Sequence, residues 1–231
     1  MDLLIAGLPR SGTTMLASIL HDPPNQVMLD EPAVPYNAPK VVHKQPKGAK
    51  RWGTKQVMKS EIEKSFERGK PASVIFITRD LEECGYSYYY RILNWFTGGR
   101  PPSVKNGDVE VVKTLFLKER YSWLDTMARY AVETKKGNGL EVDLWLRYKD
   151  FVEDPEPWKE KIRDLTGFST DGFPNLLHSQ EKRGAGRMYE VARHKGVVQN
   201  SSVGRYKDEE EIPDVTHLVE MNQDYQETFG Y

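Results

Sequence analysis

Between an apolar run at residues 3–8 and a helical apolar run that ends at Leu20, the chain places Gly7, Pro9, Arg10, Ser11, Gly12, Thr13 and Thr14. A strand–loop–helix of this composition aims successive backbone N–H groups and a helix N-terminus at one small volume. That makes an anion site, suited to a phosphate or sulfate group. In the GxxxxGK[ST] loop of NTPases a lysine follows the last glycine and reaches the β- and γ-phosphates. Here that position is Thr13, and the cation of the loop is Arg10, two residues before Gly12. The loop reads as a phosphate cradle without the NTPase lysine; alone, it would also suit a degenerate kinase loop or an inert glycine turn.

A second group follows at residues 73–92, SVIFITRDLEECGYSYYYRI. Ser73 to Thr78 is a β-branched and aromatic run, read as a buried strand. Arg79 stands at its C-terminal end, where open α/β sheets bind ligands. A helix starting near Asp80 carries Ser87. Eight residues span about 12 Å of helix, and the long Arg79 side chain can still converge with the Ser87 hydroxyl on one group. An arginine fork and a hydroxyl together suit the oxygens of a phosphate monoester. Without the first motif, an Arg–Asp surface pair and a buried helix serine would explain the same residues.

The PxSGTT core with Arg10 before the serine resembles the 5′-phosphosulfate loop of sulfotransferases, which use 3′-phosphoadenosine 5′-phosphosulfate (PAPS) and release 3′,5′-adenosine bisphosphate (PAP). Arg79, Ser87 and the tyrosines at 88–90 resemble the 3′-phosphate clamp of the same family. The stretch LRYKDFVEDP, with Tyr148, resembles a further landmark, a strand that ends in tyrosine and an acidic residue before a helix start. Ser201, Gly204 and Arg205 match the S-x-x-G-R stretch with which bacterial members close over the nucleotide. Arg193, Lys195 and Gly196 offer a second register for that closure, and a solvated basic loop is a third reading. The resemblance runs in family order along nearly the whole chain.

What the resemblance implies is a PAPS-dependent transferase that moves a sulfuryl group to a hydroxyl acceptor by in-line displacement, without a metal. Arg10, Ser11, Gly12, Thr13 and Thr14 would hold the 5′ end of the donor; Arg79, Ser87, Tyr148, Ser201, Gly204 and Arg205 would complete its site. The cytosolic branch places a histidine base in a K-T-H-L-P stretch. Here the corresponding RWGTKQV has Lys55 and no histidine, and its W-G-x-K pattern resembles bacterial and tyrosylprotein sulfotransferases. Lys55 is then the general-acid or charge-stabilising candidate. Glu31, directly after the second strand, is the candidate base, since a carboxylate beside a cationic cradle can accept a hydroxyl proton. A surface carboxylate, or one paired with Lys55, is the plainer reading of Glu31; His43 and His21 are the fallback bases.

The elements that must position these groups alternate between strand and helix. Strands are expected at 2–8, 26–29, 73–78 and 142–148, and helices at 13–20, 60–69, from Asp80, 115–136, 155–166 and 214–229. This pattern predicts an α/β fold of three layers, a mostly parallel central sheet flanked by helices, of the P-loop nucleotide-hydrolase kind. Pro32 to Lys50, with four prolines, and Thr97 to Gly107 read as long loops that set acceptor specificity. At 231 residues, without repeats or a low-complexity linker, residues 1–231 are expected to form one domain.

Composition narrows the function further. With 33 basic and 34 acidic side chains and a net charge of −1, the chain has no general polyanion surface, and no nucleic-acid partner is expected. Cys84 is the only cysteine, which excludes an internal disulfide and a cysteine-rich zinc site. No stretch is long and apolar enough to span a membrane. The first strand begins at once, leaving no room for a signal peptide, so a cytoplasmic chain is expected. A small-molecule, carbohydrate or peptide hydroxyl remains open as acceptor. A P-loop small-molecule or nucleoside kinase, or a nucleotide-binding relic without activity, are the alternatives to a sulfotransferase.

Overall fold

The two uninterrupted apolar runs, Leu3–Gly7 (β1) and Ser73–Thr78 (β4), lie side by side in the interior of a five-stranded sheet. In this computed structural model the residues described are 1–22, 24–29, 45–67, 69–97, 109–171 and 214–231. The other strands are Gln26–Leu29 (β2), Arg51–Gln56 (β3) and Leu144–Arg147 (β5), in the order β2-β3-β1-β4-β5. All four pairings are parallel. The helices are Thr13–Ile19 (α1), Lys59–Glu67 (α2), Leu81–Thr97 (α3), Val109–Lys135 (α4), Tyr148–Glu153 (α5), Glu156–Thr166 (α6), Thr216–Glu220 (α7) and Gln223–Phe229 (α8).

Side chains of successive strand residues face opposite ways, so an all-apolar strand must be covered on both faces. Leu4, Ala6, Val74 and Phe76 point into one core with Leu124, Met127 and Ala131 of α4 and Tyr225 of α8. Leu3, Ile5, Ile75 and Ile77 point into the other, against Leu16 and Ile19 of α1, Phe151 of α5 and Ile162 of α6. Leu4 and Phe76 are fully buried, and each such side chain contributes about 1.5–3 kcal/mol. The three-layer α/β architecture expected from the sequence is the one observed.

Three elements depart from expectation. β3 is an inner strand, although RWGTKQ, with Arg51, Gly53, Lys55 and Gln56, lacks the apolar run of one. Gly53 is required there, because a Cβ would lie 2.6 Å from the Leu3 carbonyl oxygen and 2.9 Å from Met28 Sδ. Pairing on both sides overrides the weak local preference. Tyr148, expected to end a strand, instead opens α5. Sheet pairing stops at Thr78 and Arg147, and the chain then turns to bury Phe151 and Val152. The C-terminal helix expected at 214–229 is divided into α7 and α8. Among the described residues no helix is long and apolar enough to cross a membrane.

Candidate functional site at the crevice between β1 and β4

From β1 the chain crosses to β2 at one edge, returns through β3, and then passes to β4 on the other side of β1. The crevice beyond the C-terminal ends of β1 and β4 is therefore the topological switch point, where open sheets bind ligands. Arg10 follows one of these strands and Arg79 the other.

The loop after β1 is bent into a concavity. Arg10 has φ 70 and Gly12 φ 99, both left-handed, and such alternation turns backbone N–H groups toward one point. The Ser11 N–H donates to the Leu8 carbonyl at 3.1 Å and closes the turn. The first bond of α1 runs from the Leu16 N–H to the Gly12 carbonyl, so the N–H groups of Thr13 and Thr14 precede the helical ladder. Ser11 is wholly buried, and among the described residues its hydroxyl has no hydrogen-bond partner, an arrangement that costs free energy.

Around the cradle the two arginines are tied together. Arg10 Nε donates to Ser87 Oγ at 2.9 Å. Arg79 Nη1 donates to the Arg10 carbonyl at 3.1 Å, and Arg79 Nε to Glu83 Oε2 at 2.8 Å. The Arg79 guanidinium also lies 4.2 Å from the centre of the Tyr148 ring, a cation–π contact. Burial opposes the Arg79 charge, yet its pKa lies above the ordinary arginine value, with the Glu83 carboxylate among the groups that favour the charged form. Cys84 is pushed up to about 12 by burial, which leaves it an inert thiol at neutral pH.

Against this geometry, the sulfotransferase domain model matches residues 1–183 of the chain. The chain belongs to the sulfotransferase family. Its fold is similar to a solved sulfotransferase domain from the curacin biosynthetic pathway, at 14% identity and TM-score 0.63, over 99% of this chain and 97% of that one. A mouse sulfotransferase, SULT7A1 complexed with PAP, aligns at 13% identity and TM-score 0.47, over 99% of this chain and 82% of that one. No curated protein matches by sequence.

The structure of this sulfotransferase brings Arg10, Ser11, Gly12, Arg79, Ser87 and Tyr148 into one contiguous group. Ser87, expected to act with Arg79, is held directly by Arg10. Thr13 is buried at the start of α1 and Thr14 is half-buried. Lys55 is the buried penultimate residue of β3, level with Ile5 and so on the α1 face of the sheet. His21 lies at the far end of α1 from the cradle, where its Nδ1 accepts the Met28 N–H at 2.9 Å. Glu31, His43, Arg193, Lys195, Gly196, Ser201, Gly204 and Arg205 lie outside the described residues. Among the described residues no group of His, Cys, Asp or Glu could hold a metal ion.

Glu83 was not singled out from the sequence, although its four-residue spacing from Arg79 on a helix start was readable. Asp80 accepts the Glu83 N–H at 3.2 Å and caps α3. Burial raises the Asp80 pKa against that bond. Gly12 is the least replaceable loop residue, since a Cβ there would meet Tyr148 Cδ2 at 2.5 Å. Gly12→Ala is expected to cost about 1–3 kcal/mol through the left-handed backbone, with a further loss as Tyr148 is pushed off Arg79. A thermal melt should show a Tm lower by several degrees; an unchanged Tm would contradict this packing.

Proposed function

We propose that this sulfotransferase transfers a sulfuryl group from PAPS to a hydroxyl acceptor by in-line displacement. One observation carries the reading: a phosphate cradle with threonine in the NTPase lysine position lies beside an arginine–serine pair, Arg79 and Ser87, that Arg10 links to it. Two anion sites side by side suit a nucleotide phosphorylated at both its 5′ and 3′ ends. The residues fit such a donor, since among the described residues the buried Ser11 hydroxyl has no hydrogen-bond partner and the left-handed Gly12 keeps the loop concave.

Bound PAPS would supply the sulfuryl group and a phosphate leaving group. The N–H groups of the cradle and Arg10 would hold the 5′ end, with the Thr13 and Thr14 hydroxyls as further donors. Arg79 and Ser87 would hold the 3′-phosphate, and Tyr148 would keep the Arg79 fork in plane. Lys55 would neutralise charge that develops on the transferring group. Glu31 would take the proton of the acceptor hydroxyl, and Ser201, Gly204 and Arg205 would close over the nucleotide.

The test is a calorimetric titration without Mg²⁺ against PAP, 5′-AMP and ATP. PAP is expected to bind at micromolar concentration. A 3′-phosphate held by charge-assisted bonds of about 1.5–3 kcal/mol should make 5′-AMP at least roughly tenfold weaker. Equal binding of ATP would overturn the reading in favour of a kinase.

A further inference from the structure

The peptide of Arg79 lies just past the sheet. Pairing of β4 ends at Ile77 on the β1 side and at Thr78 on the β5 side, so the Arg79 N–H and carbonyl need other partners in a buried place. One phenol satisfies both. The Arg79 N–H donates to the Tyr225 hydroxyl at 3.2 Å, and that hydroxyl donates to the Arg79 carbonyl at 2.9 Å. Tyr225 is 1% exposed.

A second tyrosine stands behind the first. The Tyr231 ring stacks on Tyr225 with centroids 5.9 Å apart and planes within 10°. Its hydroxyl donates to Thr78 Oγ1 at 2.9 Å. Arg147 Nη2 donates to the Gly230 carbonyl at 3.1 Å and anchors this end of the segment to β5. Burial raises both phenol pKa values, so both remain hydrogen-bond donors through the neutral range. Consecutive residues of one strand end, Thr78 and Arg79, are thus gripped by two tyrosines of one short segment.

We propose that Tyr225, backed by Tyr231, is a positioning residue for 3′-phosphate binding, acting through Arg79; this rests on the reading of Arg79 as the 3′-phosphate ligand. Both tyrosines lie beyond residues 1–183, the part that matches the family domain. The arginine is therefore set by a part of the chain that the domain match does not reach. A hydroxyl that serves both peptide groups fixes where the Arg79 side chain begins. A fork that must meet Glu83, the Arg10 carbonyl and a phosphate together tolerates little displacement.

The experiment measures affinities for PAP and 5′-AMP, without Mg²⁺, in wild type, Tyr225→Phe, Phe229→Leu and an Arg79→Ala, Glu83→Gln double variant. Their ratio isolates the 3′-phosphate from general damage to the fold. Tyr225→Phe is expected to lower the PAP preference at least about fivefold, the worth of about one hydrogen bond, while 5′-AMP binds as before. Phe229→Leu, which loosens packing beside Tyr225 without touching the Arg79 peptide, should lower Tm and leave the ratio intact. An unchanged ratio in folded Tyr225→Phe overturns the proposal, as does an equal fall in Phe229→Leu. Should Tyr225→Phe not fold, Tyr231→Phe carries the same test, and an unchanged ratio there overturns it. If the double variant itself keeps the PAP preference, the reading of Arg79 fails, which is a distinct result.

Discussion

Arg79→Ala is expected to erase the preference for PAP over 5′-AMP and to destabilise the fold at the same time. The side chain is 9% exposed and bonded to Glu83 and to the Arg10 carbonyl. Its removal takes from the buried Glu83 carboxylate the guanidinium 2.8 Å away, which costs up to about 3–5 kcal/mol. That is a large share of the roughly 5–15 kcal/mol that holds a domain folded. The loop would also lose the bond that ties the Arg10 carbonyl to β4. Glu83→Gln introduced beside Arg79→Ala removes the buried charge and should recover most of the Tm. It should not recover the affinity for PAP, because the neutral pair offers no cation to a phosphate. Arg79→Lys separates the two roles differently: the charge stays, the planar fork is lost, and PAP should weaken at least roughly tenfold with a smaller change in Tm. Calorimetry and thermal melts on the three variants read both quantities. PAP affinity restored in the double variant would exclude Arg79 as the 3′-phosphate ligand.

Lys55→Met is expected to reduce turnover by about 10²–10³, the usual effect of removing one preorganised group that stabilises charge in a transition state. Lys55 is 4% exposed, and methionine keeps much of its stem, so the change removes charge with little change in volume. A group that acts on the transferring sulfuryl should matter more in the transition state than in the bound donor. PAP affinity should therefore change by a few-fold at most, while the rate of labelled sulfuryl transfer from PAPS, to whichever phenol, alcohol or sugar the wild type accepts, collapses. The opposite pattern, weak donor binding with an unchanged maximal rate, would make Lys55 a ground-state contact and sink its catalytic role.

The parts readable from the chain were those whose physics is local. The cradle depends on a few consecutive residues: Arg10 and Gly12 must reach left-handed φ, and Thr13 stands where lysine would have signalled an NTPase. β1 and β4 announced themselves because strands buried on both faces must be apolar throughout. Arg79 at the end of β4 followed from the same logic, since a strand end next to a helix start leads to the ligand side of such a sheet. β3 was not readable, because Arg51, Gly53, Lys55 and Gln56 favour no strand until β1 and β2 pair with it. Tyr148 could be marked as a landmark, but the sequence placed it at a strand end rather than at a helix start. Its helical start depends on where β5 runs out of a neighbour.

Local residue types and spacing made legible a glycine-containing loop with one arginine, a second arginine at the end of the next central strand, and the α/β class that presents them. Which of these groups meet was set by packing. Arg10, rather than Arg79, takes the Ser87 hydroxyl. Glu83 and Tyr148 hold the Arg79 guanidinium, and Tyr225 holds its backbone from 146 residues away. The reason is one of range. Backbone conformation and hydrophobic pattern are encoded within a turn or a strand, whereas partners for a buried charge or an unpaired peptide are found only when distant segments pack together.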